Sequence, residues 1–164
     1  MKTKLINAYM KTAETFAELS HAKRLHVGAI VVKDDRIISI GYNGMPAGWD
    51  NNCEDRIYAD AWSIDNNYWD YQEEDGTVYN LKTKPEVLHA ETNAIAKLAR
   101  SSDSGLGADL FVTHSPCLDC AKLIYQSGIK RVWYGAEYRS SDGPEFLRKS
   151  GVEVNQVNIK QDKE

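Results

Sequence analysis

The chain of 164 residues has no long hydrophobic run: its longest apolar stretch, Val27 to Val32, is far too short to cross a bilayer. The basic opening from Met1 to Lys4 leads into a segment broken by Asn7, Lys11 and Glu14, so no apolar centre of a secretory leader is found there. Cysteine is scarce at three residues, an odd number that cannot pair off, and two of them stand in a C-x-x-C. That usage fits a reducing compartment and a metal or redox role, and a cytoplasmic chain is expected. Net basicity is missing too. A charge of −4 and a pI near 5.6 speak against a domain built to grip a nucleic-acid backbone, so neither a nucleic-acid nor a membrane partner is expected.

What is present is an ordinary globular balance. Apolar types make up 42% and charged types 27% of the chain, which argues against disorder, and the length suits one domain over 1–164. Leu5, Ala8, Tyr9, Ala13, Phe16 and Ala17 recur at helical spacing within residues 4–20. Val27–Val32 and Arg36–Tyr42 are β-branched runs joined by a polar connection of hairpin length. Further on, the pattern predicts helices over His89–Arg100, Cys117–Gln126 and Gly143–Ser150. Strands are predicted over Asp109–His114, Arg131–Gly135 and Val152–Val157. Strands alternating with helices imply parallel crossovers after an antiparallel opening hairpin. The expected fold is therefore α/β: one mixed sheet with helices on its faces.

One stretch breaks this rhythm, an acidic excursion at about 46–86. Between Pro46 and Asn80 nine acids face a single base, Arg56, a local charge of −8 that leaves the remainder of the chain near +4. The same stretch carries Trp49, Trp62, Trp69, Tyr58, Tyr68, Tyr71 and Tyr79. So much aromatic surface tends to be covered, either by packing on its own domain or in an oligomer interface.

The chemistry concentrates in His89-Ala90-Glu91 and Pro116-Cys117-Leu118-Asp119-Cys120. An imidazole and two thiolates suit tetrahedral zinc, and three protein ligands leave the fourth position open, as catalytic sites do. Both groups fall where a helix is predicted to start, and helix N-termini favour thiolates. Glu91, two residues after His89, cannot share its direction on a helix, so it is expected beside the metal, handling protons. His114 is a rival ligand but ends a strand, and it reads as structural. His21 and His26 have no partner at ligand spacing. The pattern His-x-Glu followed by Pro-Cys-x-x-Cys is a known signature of zinc-dependent nucleobase deaminases.

Around that motif, Val27-Gly28-Ala29-Ile30-Val31-Val32, Gly41-Tyr42-Asn43-Gly44-Met45-Pro46, His114 to Lys122 and Gly128-Ile129-Lys130-Arg131-Val132 resemble the deoxycytidylate (dCMP) deaminases. The resemblance covers most of 20–157. It implies a three-layer α/β/α sandwich with a five-stranded mixed sheet, assembled as a homohexamer. It also implies hydrolysis of dCMP to dUMP and ammonia, feeding thymidylate synthesis. Zinc then falls on His89, Cys117 and Cys120. Glu91 becomes the proton shuttle that activates water, protonates N3 and helps ammonia leave C4. Asn43 matches a substrate-binding position, although it is equally a natural turn residue beside Gly44. Arg24 and Tyr138 match phosphate contacts, with Ser20 joining them, while Arg24 also reads as a solvated loop arginine.

Many members of that family are activated by dCTP with Mg2+ and inhibited by dTTP, and the resemblance implies the same regulation here. The loop holding Gly41, Tyr42, Gly44 and Gly48 resembles the effector pocket, or else is a plain tight turn. Some relatives bind a second, structural zinc through a cysteine two positions before the residue matching Arg24. Here Ala22 stands at that position, so no second metal is expected and Cys53 reads as a free packed thiol. The alternatives on the same chemistry are a tRNA adenosine deaminase and a free nucleoside deaminase. A silent zinc-stabilised binding protein is the alternative of another class, and it would have no need of Glu91.

Overall fold

A computed structural model describes residues 1–60 and 68–158. Trp62 and the charged tail from Lys160 therefore lie outside the described residues. Along the chain come α1 (Thr3–Ala17), β1 (Gly28–Lys33), β2 (Arg36–Tyr42), β3 (Glu54–Tyr58), β4 (Tyr71–Gln72) and β5 (Val78–Thr83). Then follow α2 (Ala90–Leu98), β6 (Asp109–His114), α3 (Leu118–Gln126), β7 (Arg131–Ala136), α4 (Asp142–Lys149) and β8 (Glu153–Gln156).

The five strands expected from the sequence form one sheet in the order β2-β1-β6-β7-β8. β1 runs antiparallel to both β2 and β6, while β6, β7 and β8 are mutually parallel. Parallel neighbours need a crossover, and α3 and α4 supply the two that are required. The β1–β2 hairpin turns through Asp34 and Asp35, both at positive φ, as a two-residue turn matched to strand twist demands.

Alternation along the central strands sorts the core into two faces. Ile30, Val32 and Phe111 meet Met10 and Ala13 of α1 on one side. Ala29, Val31, Leu110 and Val112 meet Ala90 and Ala94 of α2, Ile124 of α3 and Leu147 of α4 on the other. β1 and β6 are thus covered on both faces, which is why they read as continuous apolar runs rather than alternating ones. The result is the expected α/β/α sandwich.

The excursion departs from expectation. The sequence reading gave it no strands, yet it folds into its own antiparallel sheet in the order β3-β5-β4. Three of its tyrosines gather, the ring of Tyr79 lying 5.6 Å from that of Tyr58 and 5.4 Å from that of Tyr71, while Trp49 and Tyr68 stay exposed, against the expectation that this aromatic surface is covered by its own domain. The Arg56 guanidinium sits 4.9 Å over the Tyr79 ring and pairs with Glu73.

Candidate active site

His89 and Cys117 are the N-cap residues of α2 and α3, so both helix starts are brought to one place. α2 is fixed there by β2 beneath it. A Cβ on Gly41 would come within 2.1 Å of the Ala90 carbonyl oxygen, so only glycine lets the helix lie this close. Ser39 Oγ donates to the Ala94 carbonyl at 2.7 Å, Asn93 Nδ2 to the Tyr42 carbonyl at 2.9 Å, and Lys97 Nζ to the Ile40 carbonyl at 2.8 Å. α3 is fixed from the α4 side, where a Cβ on Gly143 would lie 2.0 Å from the Pro116 carbonyl oxygen.

Cys117 Sγ and Cys120 Sγ lie 3.6 Å and 3.3 Å from His89 Nδ1, and the three donor atoms are all within 4.8 Å of one another. Tetrahedral zinc with bonds of about 2.3 Å to sulfur and about 2.1 Å to nitrogen sets sulfur and nitrogen about 3.6 Å apart. The donors fit that ion in both chemistry and spacing. Among the described residues no other group of three such donors converges, and His114 stays outside it, its Nδ1 near Thr113 Oγ1. Ala22 and Cys53 meet in a small apolar cluster with Val87 and Met45, so Cys53 is a packed thiol with no partner thiol beside it.

Electrostatics prepares the cage for a cation. The Cys117 thiol is drawn down to about 4, chiefly by the hydrogen bond from Cys120 and then by that from His89. Cys120 is pushed up by that shared proton and by burial. His89 is raised, first by its bond to Cys117. Cys117 is therefore the readier thiolate, and metal binding must expel the proton held by Cys120 together with any on the His89 nitrogen that faces the sulfurs. Glu91, fully buried in the first turn of α2, has its carboxyl pushed up by desolvation. A carboxyl raised from its ordinary value is better matched to taking and returning a proton near neutrality.

The cage opens into a cleft of about 290 Å³. Arg24, Asn43, Glu91 and Tyr138 line it along with His89 and Cys117. Asn43 also pins the loop before β1, accepting the Val27 N–H at 2.8 Å and donating to the Leu25 carbonyl at 2.9 Å. Arg24 Nη1 donates to Thr83 Oγ1 at 3.0 Å, and Ser115 Oγ accepts the Tyr138 N–H at 2.8 Å, holding that loop at the cleft. Ser20 is buried, its Oγ accepting the Ala22 N–H, and it is not among the cleft-lining residues. Of the four loop residues matched to an effector pocket, Gly41 serves helix packing and Tyr42 ends β2. Gly44 and Gly48 face open space, Gly48 with φ +86°.

Among the polar lining residues, the sequence did not point to Glu54, Thr83, His114, Ser115 or Arg139 as part of the site. Glu54 and Thr83 are paired across β3 and β5, so the excursion supplies part of the cleft wall. The only signal for Glu54 and Thr83 was membership of a charged, aromatic stretch.

Residues 3–136 match the family model for the cytidine and deoxycytidylate deaminase zinc-binding region. The deoxycytidylate deaminase of Enterobacteria phage T2 is 36% identical over 152 residues, covering 80% of each chain. That of Homo sapiens is 36% identical over 137 residues, covering 82% of this chain and 66% of the human one. The crystal structure of the dCMP deaminase from the cyanophage S-TIM5, in complex with dCMP and dUMP, superposes with a TM-score of 0.77 at 46% identity. It covers 96% of this chain and 99% of that one.

Proposed function

The chain belongs to the cytidine and deoxycytidylate deaminase family, and from that premise we propose that it hydrolyses dCMP to dUMP and ammonia, supplying dUMP for thymidylate synthesis in the cytoplasm. The observation that carries this reading is a His-Cys-Cys cage with a buried glutamate beside it, opening on a cleft of nucleotide size.

His89, Cys117 and Cys120 would hold zinc, which when bound supplies a Lewis acid that makes water acidic enough to attack at neutral pH. Glu91 accepts the proton of the attacking water and passes it to pyrimidine N3. It then carries the proton of the new C4 hydroxyl to the departing N4 amine, so that ammonia leaves C4 and the carbonyl of dUMP forms. Arg24 provides a guanidinium fork for the 5′-phosphate and Tyr138 a hydroxyl donor, while Asn43 shapes the wall between them. Ser20 contributes only through the backbone turn leading to Arg24.

The same reading extends to regulation and assembly. The open turn around Gly44 and Gly48 would admit the phosphates of a nucleotide effector, dCTP with Mg2+ activating and dTTP inhibiting, on a homohexamer. The resemblance supports this part.

An ultraviolet assay on dCMP, cytidine and a tRNA anticodon stem, run side by side with metal analysis, tests the reading. The expected result is one zinc per chain and turnover of dCMP well above both alternatives. Zinc-loaded protein that converts no cytosine nucleotide would overturn it.

A further inference from the structure

The cleft holds a second buried carboxylate besides Glu91. Glu54, the first residue of β3, is only 4% exposed and lines the cleft. Its Oε1 accepts the Lys23 N–H at 2.9 Å and the Arg24 N–H at 3.2 Å. Its Oε2 is buried and meets no hydrogen-bond partner among the described residues. An orphaned buried acceptor is costly, and a native fold that keeps one needs a reason. Two polar side chains of the wall are committed elsewhere: Arg24 Nη1 donates to Thr83 Oγ1, and Asn43 Nδ2 donates to the Leu25 carbonyl while its Oδ1 accepts the Val27 N–H.

We propose that Glu54 Oε2 receives the hydrogen bond of the substrate's sugar hydroxyl, the 3′-OH of dCMP, making Glu54 a substrate-binding residue. The proposal rests on the dCMP reading above. dCMP brings two kinds of donor into the cleft, its N4 amine and its 3′-OH. The amine is the leaving group and must face Glu91, which leaves the hydroxyl for Glu54. A carboxylate repels phosphate and suits a neutral hydroxyl, so Glu54 cannot duplicate Arg24. It is nevertheless tied to the backbone of Arg24, and the 5′-phosphate and 3′-OH belong to one small ring. A residue that holds the Arg24 backbone is therefore placed at the sugar end of the cleft.

The test compares kcat/KM for dCMP and for 2′,3′-dideoxycytidine monophosphate, which lacks only that hydroxyl, in the zinc-loaded wild type and in Glu54→Gln. The glutamine keeps an oxygen for the two backbone N–H groups but puts an amide NH2 where Oε2 was, which can meet the hydroxyl oxygen only as a weaker, neutral donor. Wild type is expected to prefer dCMP about tenfold to a hundredfold, the value of a hydrogen bond to a charged group. In Glu54→Gln the two substrates are expected to come within about threefold of each other, through loss on dCMP, a yardstick well inside one such bond. Glu54→Asp, which withdraws the same charge by one methylene, is a second variant with the same expected collapse should the first fail to fold. Equal use of both substrates by wild type overturns the proposal. So does an equal fall on both in a folded variant, the mark of a purely structural residue. A wild type that turns over neither nucleotide overturns the dCMP reading beneath it, and that failure is visible before any variant is made.

Discussion

The two helix starts that carry His89 and Cys117 and the small sheet of the excursion contribute to one cleft, but they are built on different logic. At the helix starts each residue type is dictated by ligand chemistry: soft donors, a buried acid, and glycines where backbones nearly touch. In the small sheet the residues mainly satisfy one another, tyrosine against tyrosine and Arg56 against Glu73 and Tyr79. On the proposed function, the first region is intolerant of change because its geometry would perform the chemistry. The second tolerates change unless it shifts the two residues, Glu54 and Thr83, that it lends to the cleft. Variants on each side can sharpen that contrast.

The largest effect is expected at Glu91. Glu91→Ala removes the proton carrier while leaving all three metal donors in place, so turnover of dCMP should fall by about 10³-fold or more. Metal analysis should still find about one zinc per chain, since Glu91 is not among the three donors. A variant that deaminates at the wild-type rate would remove Glu91 from the mechanism.

Gly41→Ala comes next. The added methyl meets the Ala90 carbonyl oxygen at 2.1 Å and the Ala94 nitrogen at 2.6 Å, both backbone atoms, so α2 must move. Overpacking of this kind costs about 1–3 kcal/mol. A displacement of about 1 Å in the helix that carries His89 and Glu91 would lower kcat by roughly 10²-fold. Thermal melting and kcat, measured together, check it. An unchanged melting temperature with a lost response to dCTP would instead place Gly41 in an effector pocket.

How much of this was legible beforehand follows from the same contrast. The five main strands and four helices announced themselves because burial on both faces of β1 and β6 leaves uninterrupted apolar runs, and because α1 and α3 are amphipathic. The donor cluster was legible because zinc takes few donor types, and His89, Cys117 and Cys120 stand in two short motifs with the spacing that suits it. β3 was not: Glu54 is its buried member while Asp55 to Tyr58 are exposed, so no apolar alternation marks it. β4 is two residues long, too short for any pattern. Glu54 could not be found as a cleft residue because its partners, Lys23 and Arg24, are about thirty positions away, and only the folded excursion brings them together. Asn43 was matched to the substrate, but its hold on Leu25 and Val27 is a tertiary fact that spacing does not reveal.

A smaller effect is expected at Arg24. Arg24→Ala removes the guanidinium from the cleft and from Thr83. Losing a charge-assisted bond to phosphate should raise KM for dCMP about tenfold to a hundredfold, with kcat changed far less. Cytidine, which has no phosphate, is the control: its kcat/KM should be nearly the same in the variant and wild type. A comparable loss on both substrates would mean that Arg24 holds the wall rather than the ligand.

The smallest effect, and the one that probes the small sheet itself, is expected at Tyr79. Tyr79→Ala deletes the ring shared by Tyr58, Tyr71 and Arg56, and aromatic pairs of this sort contribute about 0.5–1.5 kcal/mol each beyond their buried area. None of those contacts reaches the metal cage, so zinc content should not change. The damage instead travels along β5 to Thr83 and across the ladder to Glu54, because both strands depend on the same pairing register. The expected signature is a modest rise in KM for dCMP with kcat nearly intact, alongside a lower melting temperature. If kcat falls as steeply as it does in Gly41→Ala, the excursion does more than wall the cleft, and the division of labour between the two regions fails.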